Sequence, residues 1–215
     1  MKTNVMGSYN VVKASVARNV KKVIAISTDK ASKPVNAMGM TKALQEKIML
    51  SEDLEKDETT FCCVRYGNVL GSKGSILPLF FKGAKNKLIT ITDKRMTRFN
   101  ITLKESVELV IKALNSMVGG EIFVPKIPSF KVIDLAKAMS ADSRIKIIGI
   151  KPGEKLHEEL ISVHESQNTI EYKNYFIIVS NFEFFYWNKK NYMKKFRGKP
   201  CWDNFSYNSE NNKDK

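Results

Sequence analysis

The chain has 215 residues, is 43% hydrophobic and carries a formal net charge of +14. That suits one domain with a small appendage; no apolar run approaches the ~18 residues of a membrane span, and the N-terminus MKTNVMGSYN lacks the apolar core of a signal peptide. The charge sits on 30 lysines against 6 arginines, spread along the whole chain, a pattern that favours an anionic small molecule over nucleic acid.

Residues 5–19 place Val5, Tyr9, Val12 and Val16 at helical spacing. VIAIS (23–27) then reads as a short strand apolar on both faces, the kind buried in parallel sheets. A helix over 37–50 and a second buried strand, FCCVRY (61–66), follow, so the chain alternates helix and strand as right-handed α/β folds do. Cys62 and Cys63 lie inside that apolar strand; with Cys201 they form no CxxC, which points to buried thiols in a reducing cytoplasm. Gly67 to Gly74 form a glycine-rich loop, followed by a helical stretch Leu79–Lys85 and the strand LITIT (88–92). The helix over 102–118 opens with a capping box, Thr102-x-x-Glu105, and carries Leu103, Val107, Val110, Ile111 and Leu114 on one face. Gly119-Gly120 end it; EIFV (121–124), a helix near 131–139 and a strand near 145–150 complete the pattern. Residues 165–215 are rich in Asn, Lys, Tyr and Phe with weak periodicity, and the last ten, SYNSENNKDK, are expected to be disordered. The cluster Phe182, Phe184, Phe185, Tyr186 and Trp187 suggests either a partner surface or packing of the tail. Two scattered histidines, His157 and His164, do not make a zinc site.

One absence stands out. A dinucleotide-binding domain opens with strand, GxGxxG turn and helix. Gly67-x-x-x-Gly71-x-x-Gly74 has another spacing and comes too late, so the chain reads as the rear two-thirds of a larger enzyme.

Ligands of open parallel sheets sit at the carboxyl ends of the strands. Ser27, Thr28, Asp29 and Lys30 occupy that place after VIAIS. A carboxylate beside an ammonium can serve as acid and base where burial moves both toward neutrality; the alternative is a solvated, salt-bridged turn. Met38 and Lys42, four residues apart, share a helical face.

Taken together, STDKASKPVNAMGMTK, RYGNVLGSKGSILPLF, ITDKRMTRFNITL, GEIFVPKIPSFKVIDLAKAM and IGIKPGEKLHEELIS resemble the inverting UDP-N-acetylglucosamine 4,6-dehydratases. These form a polysaccharide-biosynthesis branch of the extended short-chain dehydrogenase/reductase superfamily. The resemblance runs through residues 2–170. It implies a Rossmann-like parallel sheet lacking its first βαβ unit. It also implies a chemistry: a hydride passes from C4 of the sugar to NADP (or NAD), the C5 proton is removed, the C6 hydroxyl leaves, the hydride returns to C6, and C5 is reprotonated from the opposite face. In that scheme Lys30 is the C5 base, Asp29 the acid at the C6 hydroxyl, Thr28 a hydrogen-bond partner of the C4 oxygen, and Lys42 holds the nicotinamide ribose. Met38 stands where the superfamily carries its catalytic tyrosine; a thioether moves no proton, so water, Thr28 or Lys42 would relay it. Ser27, Tyr66, Gly67, Asn68 and Val69 would line the cofactor. Asn68, Ser72, Lys73, Gly74, Ser75, Thr92, Arg98 and Glu154 would bind the UDP-sugar, with Glu154 at the uridine ribose. Asn4 resembles the asparagine that ties the active-site helix to the sheet.

The expected layout is a rear part of the cofactor-binding domain over 1–120, a substrate lobe over 121–170 and a tail over 171–215. The expected function is NADP-dependent 4,6-dehydration with C5 inversion by a cytoplasmic homo-oligomer with no nucleic-acid or membrane partner. The alternatives are an epimerase of the same superfamily and a non-catalytic nucleotide-sugar-binding remnant.

Overall fold

The computed structural model describes residues 1–51, 58–72, 75–179 and 189–213. A π-helical turn, Lys2–Gly7, runs into helix α1 (Ser8–Ala17). Strand β1 (Lys22–Thr28) leads through a 3-10 turn, Asp29–Ala31, to helix α2 (Ala37–Ser51). Then come β2 (Thr60–Tyr66), β3 (Asn68–Val69), α3 (Ile76–Lys85), β4 (Leu88–Ile91), β5 (Thr97–Ile101) and α4 (Leu103–Ser116). After these follow β6 (Ile122–Pro125), β7 (Ser129–Lys131), α5 (Val132–Met139), β8 (Arg144–Ile147), β9 (Glu159–Ile161) and α6 (Val163–Ser166). The chain closes with β10 (Thr169–Glu171), β11 (Tyr175–Ile178), α7 (Lys189–Phe196), β12 (Lys199–Pro200) and β13 (Tyr207–Asn208).

The main sheet has the order β1-β2-β6-β11-β10-β12. β1, β2 and β6 are parallel, as expected; β11, β10 and β12 continue the sheet antiparallel, because β10 and β11 form a hairpin that docks on β6. Successive residues of β2 alternate faces. Phe61 and Cys63 pack with Val12 of α1 and Met49 of α2, whereas Cys62 and Val64 pack with Leu109 and Ala113 of α4 and Tyr192 of α7. Covering on both sides explains why this strand is apolar without a break. All three cysteines are buried, and none is in a disulfide among the described residues.

A second core joins Phe80 of α3, Ile89 and Ile91 of β4, and Val132 and Ala136 of α5, with β8 parallel to β4. This small lobe corrects the layout read from sequence. It takes α3 and β4 from before residue 120, while β6, assigned there to the substrate lobe, sits inside the main sheet. Pairing across a sheet is not a local property, so a cut in linear order misses it.

Two further expectations change. Helix α4 has its capping box, but the face carrying Leu103 (68% exposed), Val107, Ile111 and Leu114 points outward. The small side chains Ser106 and Ala113, with Leu109, are the ones turned to the sheet. The tail is also built in. Tyr207 and Asn208 pair with β9, Tyr207 Oη bonds both the N–H (2.8 Å) and the carbonyl (3.0 Å) of Ile127, and Asn212 Nδ2 donates to the same carbonyl at 2.8 Å. Polar side chains hold this segment through specific bonds, which hydropathy does not register. The aromatic cluster at 182–187 lies outside the described residues.

Candidate active site

β1 ends in extended backbone at Thr28, and the 3-10 turn then sends Asp29 inward. Asp29 is 0% exposed. Its Oδ1 accepts from Thr28 Oγ1 at 2.8 Å and from Lys30 Nζ at 3.0 Å, and Lys30 Nζ also reaches Asn68 Oδ1 at 3.3 Å. The pair is thus an inward-facing unit rather than a solvated turn. Helix α2 presses against it at Gly39, where a Cβ would collide with the Lys30 carbonyl and come 3.1 Å from Pro34 Cβ. Asn36 caps α2 by accepting from Gly39 N at 2.9 Å.

Lys42 is half-buried, and burial holds its ammonium below the usual lysine range. Its Nζ donates to the Ile26 carbonyl at 2.9 Å and to Gln45 Oε1 at 2.8 Å, so one of its three N–H groups remains. Met38, a turn earlier, is 47% exposed. Ser27 donates to Glu46 Oε1 at 2.5 Å rather than toward a ligand. Tyr66 stands level with Thr28 across the β1–β2 pairing, its phenol raised by partial burial. Asn4 bonds Thr41 Oγ1 on α2 at 3.0 Å, not the sheet.

Sequence reading passed over the group behind Ser27. Arg65 is buried; its Nε and Nη2 donate to Glu46 (2.9 and 2.6 Å), Nη2 also to Glu165 (2.8 Å), and Nη1 to the Leu160 carbonyl (2.9 Å). This network joins the end of β1, helix α2 and the β9–α6 segment. An arginine inside an apolar strand was the available signal, since such a cation demands buried partners.

Between sheet and lobe lies a cleft of about 800 Å³, within the size range of ligand pockets. Lys30, Asn68, Val69, Ser72, Ser75, Thr92, Arg98 and Glu154 line it. Lys73 and Gly74 lie outside the described residues. Ser75 caps the start of α3 and its Oγ is shielded without a hydrogen-bond partner among the described residues. Asp29, Thr28, Lys42, Met38, Tyr66, Ser27 and Gly67 do not line the cleft; they stand behind or beside its Lys30 end. Arg98, expected from the resemblance to bind the UDP-sugar, donates to the carbonyls of Thr97 (2.7 Å), Leu156 (3.2 Å) and Lys155 (3.1 Å), so it holds the wall of the cleft. That wall is the KPGEK turn. Gly153 adopts φ +83°, a conformation that favours glycine, its carbonyl accepts from Asn36 Nδ2 at 2.8 Å, and Lys155 Nζ donates to the Ser32 carbonyl at 2.6 Å. His157 is partly exposed and bonds Thr97 Oγ1 at 2.8 Å, a structural role.

Residues 1–180 match the family described as polysaccharide biosynthesis protein. The chain is 45% identical over 222 aligned residues to a UDP-N-acetylglucosamine 4,6-dehydratase (inverting) of Campylobacter jejuni, covering 99% of this chain and 65% of that protein. It is 43% identical over 183 residues to a UDP-glucose 4-epimerase of Rickettsia bellii, covering 82% of this chain and 54% of that protein. Among solved structures, Pen from Bacillus thuringiensis matches with TM-score 0.84 and 38% identity over 97% of this chain and 64% of that one. A dTDP-glucose 4,6-dehydratase of Streptomyces venezuelae shares the fold at TM-score 0.64 and 16% identity, over 72% of this chain and 56% of that one. The chain therefore spans less than two thirds of the length of each of these relatives, from 54% to 65%. Sheet, cleft and matches together make it a member of the polysaccharide biosynthesis protein family, with the Rossmann-like architecture of the extended short-chain dehydrogenases/reductases.

Proposed function

We propose that this chain carries the sugar-processing part of a 4,6-dehydratase that acts with C5 inversion on UDP-N-acetylglucosamine. The observation that supports this most is the Asp29–Lys30 pair. It combines a fully buried carboxyl with an ammonium 3.0 Å away that lines the cleft. One proton moved along that hydrogen bond converts carboxylate and ammonium into carboxylic acid and amine. Lys30 then takes the C5 proton and Asp29 gives its proton to the departing C6 hydroxyl. Thr28, hydrogen-bonded to Asp29, would hold the C4 oxygen while the C4 hydroxyl proton passes to water, a task Met38 cannot perform.

The nicotinamide end of a dinucleotide fits this chain at one point on structural grounds: the remaining N–H of Lys42 suits a ribose hydroxyl, with Ser27, Tyr66, Gly67, Asn68 and Val69 nearby at the strand ends. Such a cofactor, NADP or NAD, supplies the acceptance and return of a hydride. At the other end, Ser72, Ser75 and the start of α3 suit a diphosphate, because helix N-termini attract anions. Thr92, Arg98 and Glu154 would then meet the nucleoside.

A second reading, 4-epimerisation, is favoured by the relatives named UDP-glucose 4-epimerase. Mass spectrometry after incubation with UDP-N-acetylglucosamine and NADP separates the two. Dehydration yields a product lighter by one water and, in D2O, deuterated at C5; Asp29→Asn and Lys30→Met each abolish it, by about 10²-fold or more. An isomer of unchanged mass supports epimerisation. Calorimetry showing no UDP-N-acetylglucosamine binding to the cleft would overturn both readings.

A further inference from the structure

We propose that the outer edge formed by α7 and β12 is a docking surface for an anionic phospholipid bilayer. Six of the eleven residues 189–199 are lysine or arginine, and none is acidic. The edge lies at the opposite end of the main sheet from β1 and its Asp29–Lys30 turn, since β12 is the last strand in the order. Apolar packing fixes which side faces out. Tyr192, 1% exposed, and Phe196, its ring neighbour at 4.6 Å, pack with Ile170 and Ile177, while Lys190, Lys194, Arg197 and Lys199 are exposed. Gly198 sits tight against β10: a Cβ there would collide with Ile170 Cγ2 and come 2.7 Å from the Tyr172 ring. Lys189 Nζ donates to the Gln167 carbonyl at 2.6 Å, which ties the start of α7 to the turn before β10. Cys201 N donates to the Thr169 carbonyl at 3.4 Å, so Trp202 comes back to that same end of β10.

Lys189, Lys190 and Lys194 converge with Met193 and Gly198 around a shallow hollow of about 560 Å³. Lys190 and Lys194 are four residues apart on one helix, a spacing at which like charges repel. Helix α7 carries no acid to offset them, and Glu171, opposite Lys199 in the β10–β12 pairing, is already bound to Lys126 at 2.6 Å. A phosphate head group among the three ammoniums removes that repulsion. Trp202 adds an apolar anchor: it is 65% exposed, with its ring edge-on to Phe205 at 4.6 Å. An indole held on one side and open on the other suits the boundary between head groups and acyl chains, where tryptophan is enriched. Lysine outnumbers arginine five to one along the edge. Ammoniums act as point charges without the bidentate fork that reads nucleic acid, so the diffuse negative potential of a bilayer suits them better. The contact is with the membrane surface and needs no spanning helix; it departs from the expectation of no membrane partner, which rested on the lack of a span.

The test is cosedimentation of the full chain with vesicles of phosphatidylcholine alone and of phosphatidylcholine mixed with phosphatidylglycerol. The chain partitions onto the mixed vesicles, and added salt releases it. Each cation removed from the edge weakens partition roughly fivefold, so Lys190→Gln with Lys194→Gln lowers it about 30-fold and Lys190→Glu with Lys194→Glu about 10²-fold or more. Reversal at Lys137 and Lys146, exposed on the small lobe, lowers it far less, which separates the edge from the charge of the whole chain. Trp202 emission moves to the blue on mixed vesicles, read as the part of the shift lost in Trp202→Phe. Circular dichroism verifies folding of each variant. Equal partition onto both vesicles, equal loss from the two pairs of reversals, or unchanged Trp202 emission overturns the proposal. So does binding of a single-stranded oligonucleotide or of inorganic phosphate through Lys190 and Lys194 with no binding to mixed vesicles.

Discussion

Replacing Arg65 with methionine is the most direct test of what holds the active-site strand to its surroundings. The guanidinium, 2% exposed, makes four hydrogen bonds, three of them to carboxylates. Methionine fills similar volume but leaves Glu46 buried with only Ser27 as partner, and frees the Leu160 carbonyl. Removing one side of a buried ion pair costs about 3–5 kcal/mol. For a domain of this size that lowers the unfolding midpoint by roughly 6–20 °C. The loss also carries a pH signature. Burial would raise the Glu165 carboxyl, but the Arg65 charge, the Arg65 hydrogen bond and the Ser162 donors outweigh it and hold the carboxyl below its usual range. A carboxyl depressed in the folded state contributes stability above its unfolded value, about 4.3, and loses it as pH falls through the folded value. The deficit of Arg65→Met is therefore largest near neutrality and shrinks on acidification below about pH 4.5. Urea unfolding of wild type and variant across that range measures it. Adding Glu46→Leu to Arg65→Met should restore part of the loss, since the stranded charge is then gone. A neutral-pH deficit under about 1 kcal/mol, or one that grows as the pH drops, refutes the reasoning.

Gly39→Ala should shift the Asp29–Lys30 turn, because its Cβ meets the rigid Lys30 carbonyl; dehydration is expected to fall by about 10²-fold while the cleft still binds UDP-N-acetylglucosamine, as calorimetry would show. Tyr207→Phe leaves the buried Ile127 N–H without its acceptor and should cost about 1–3 kcal/mol in chemical denaturation; an unchanged midpoint would mean the tail is not an integral part of the fold. Thr102→Ala removes the α4 capping box at about 1 kcal/mol. Hydrogen bonds from the Thr102 hydroxyl and N–H hold the Glu105 carboxyl below its usual range, so the part of the deficit that comes from the hydroxyl–carboxylate bond is present above the unfolded value near 4.3 and is lost in acid, while the Thr102 Oγ–Glu105 N–H part persists; a deficit unchanged from neutral to acid pH would contradict it.

Period and punctuation made much of this fold legible. FCCVRY is a strand because an uninterrupted apolar run of that length needs cover on both faces; VIAIS is a strand too, although at the sheet edge Ile26 is left 39% exposed, and Thr102-x-x-Glu105 starts a helix because both partners of a capping box lie within one turn. These are local requirements, written into neighbouring residues. So was the place of Asp29 and Lys30 at the end of a sheet strand.

Tertiary structure decided the rest, since it depends on residues far apart in the chain. Which face of α4 turns inward was set by small side chains that allow close approach, not by where apolar residues are densest. The lobe, the tail's seat beside β9 and the wall built by Arg98 each join segments more than forty residues apart. The environment of Asp29 belongs to the same class. A lysine beside an aspartate reads alike in a solvated turn and in a buried site, and only the packing of Gly39, Asn68 and the 155–159 segment around it makes the difference. Backbone propensity acts between neighbours, whereas burial is a property of everything the chain folds on top of them.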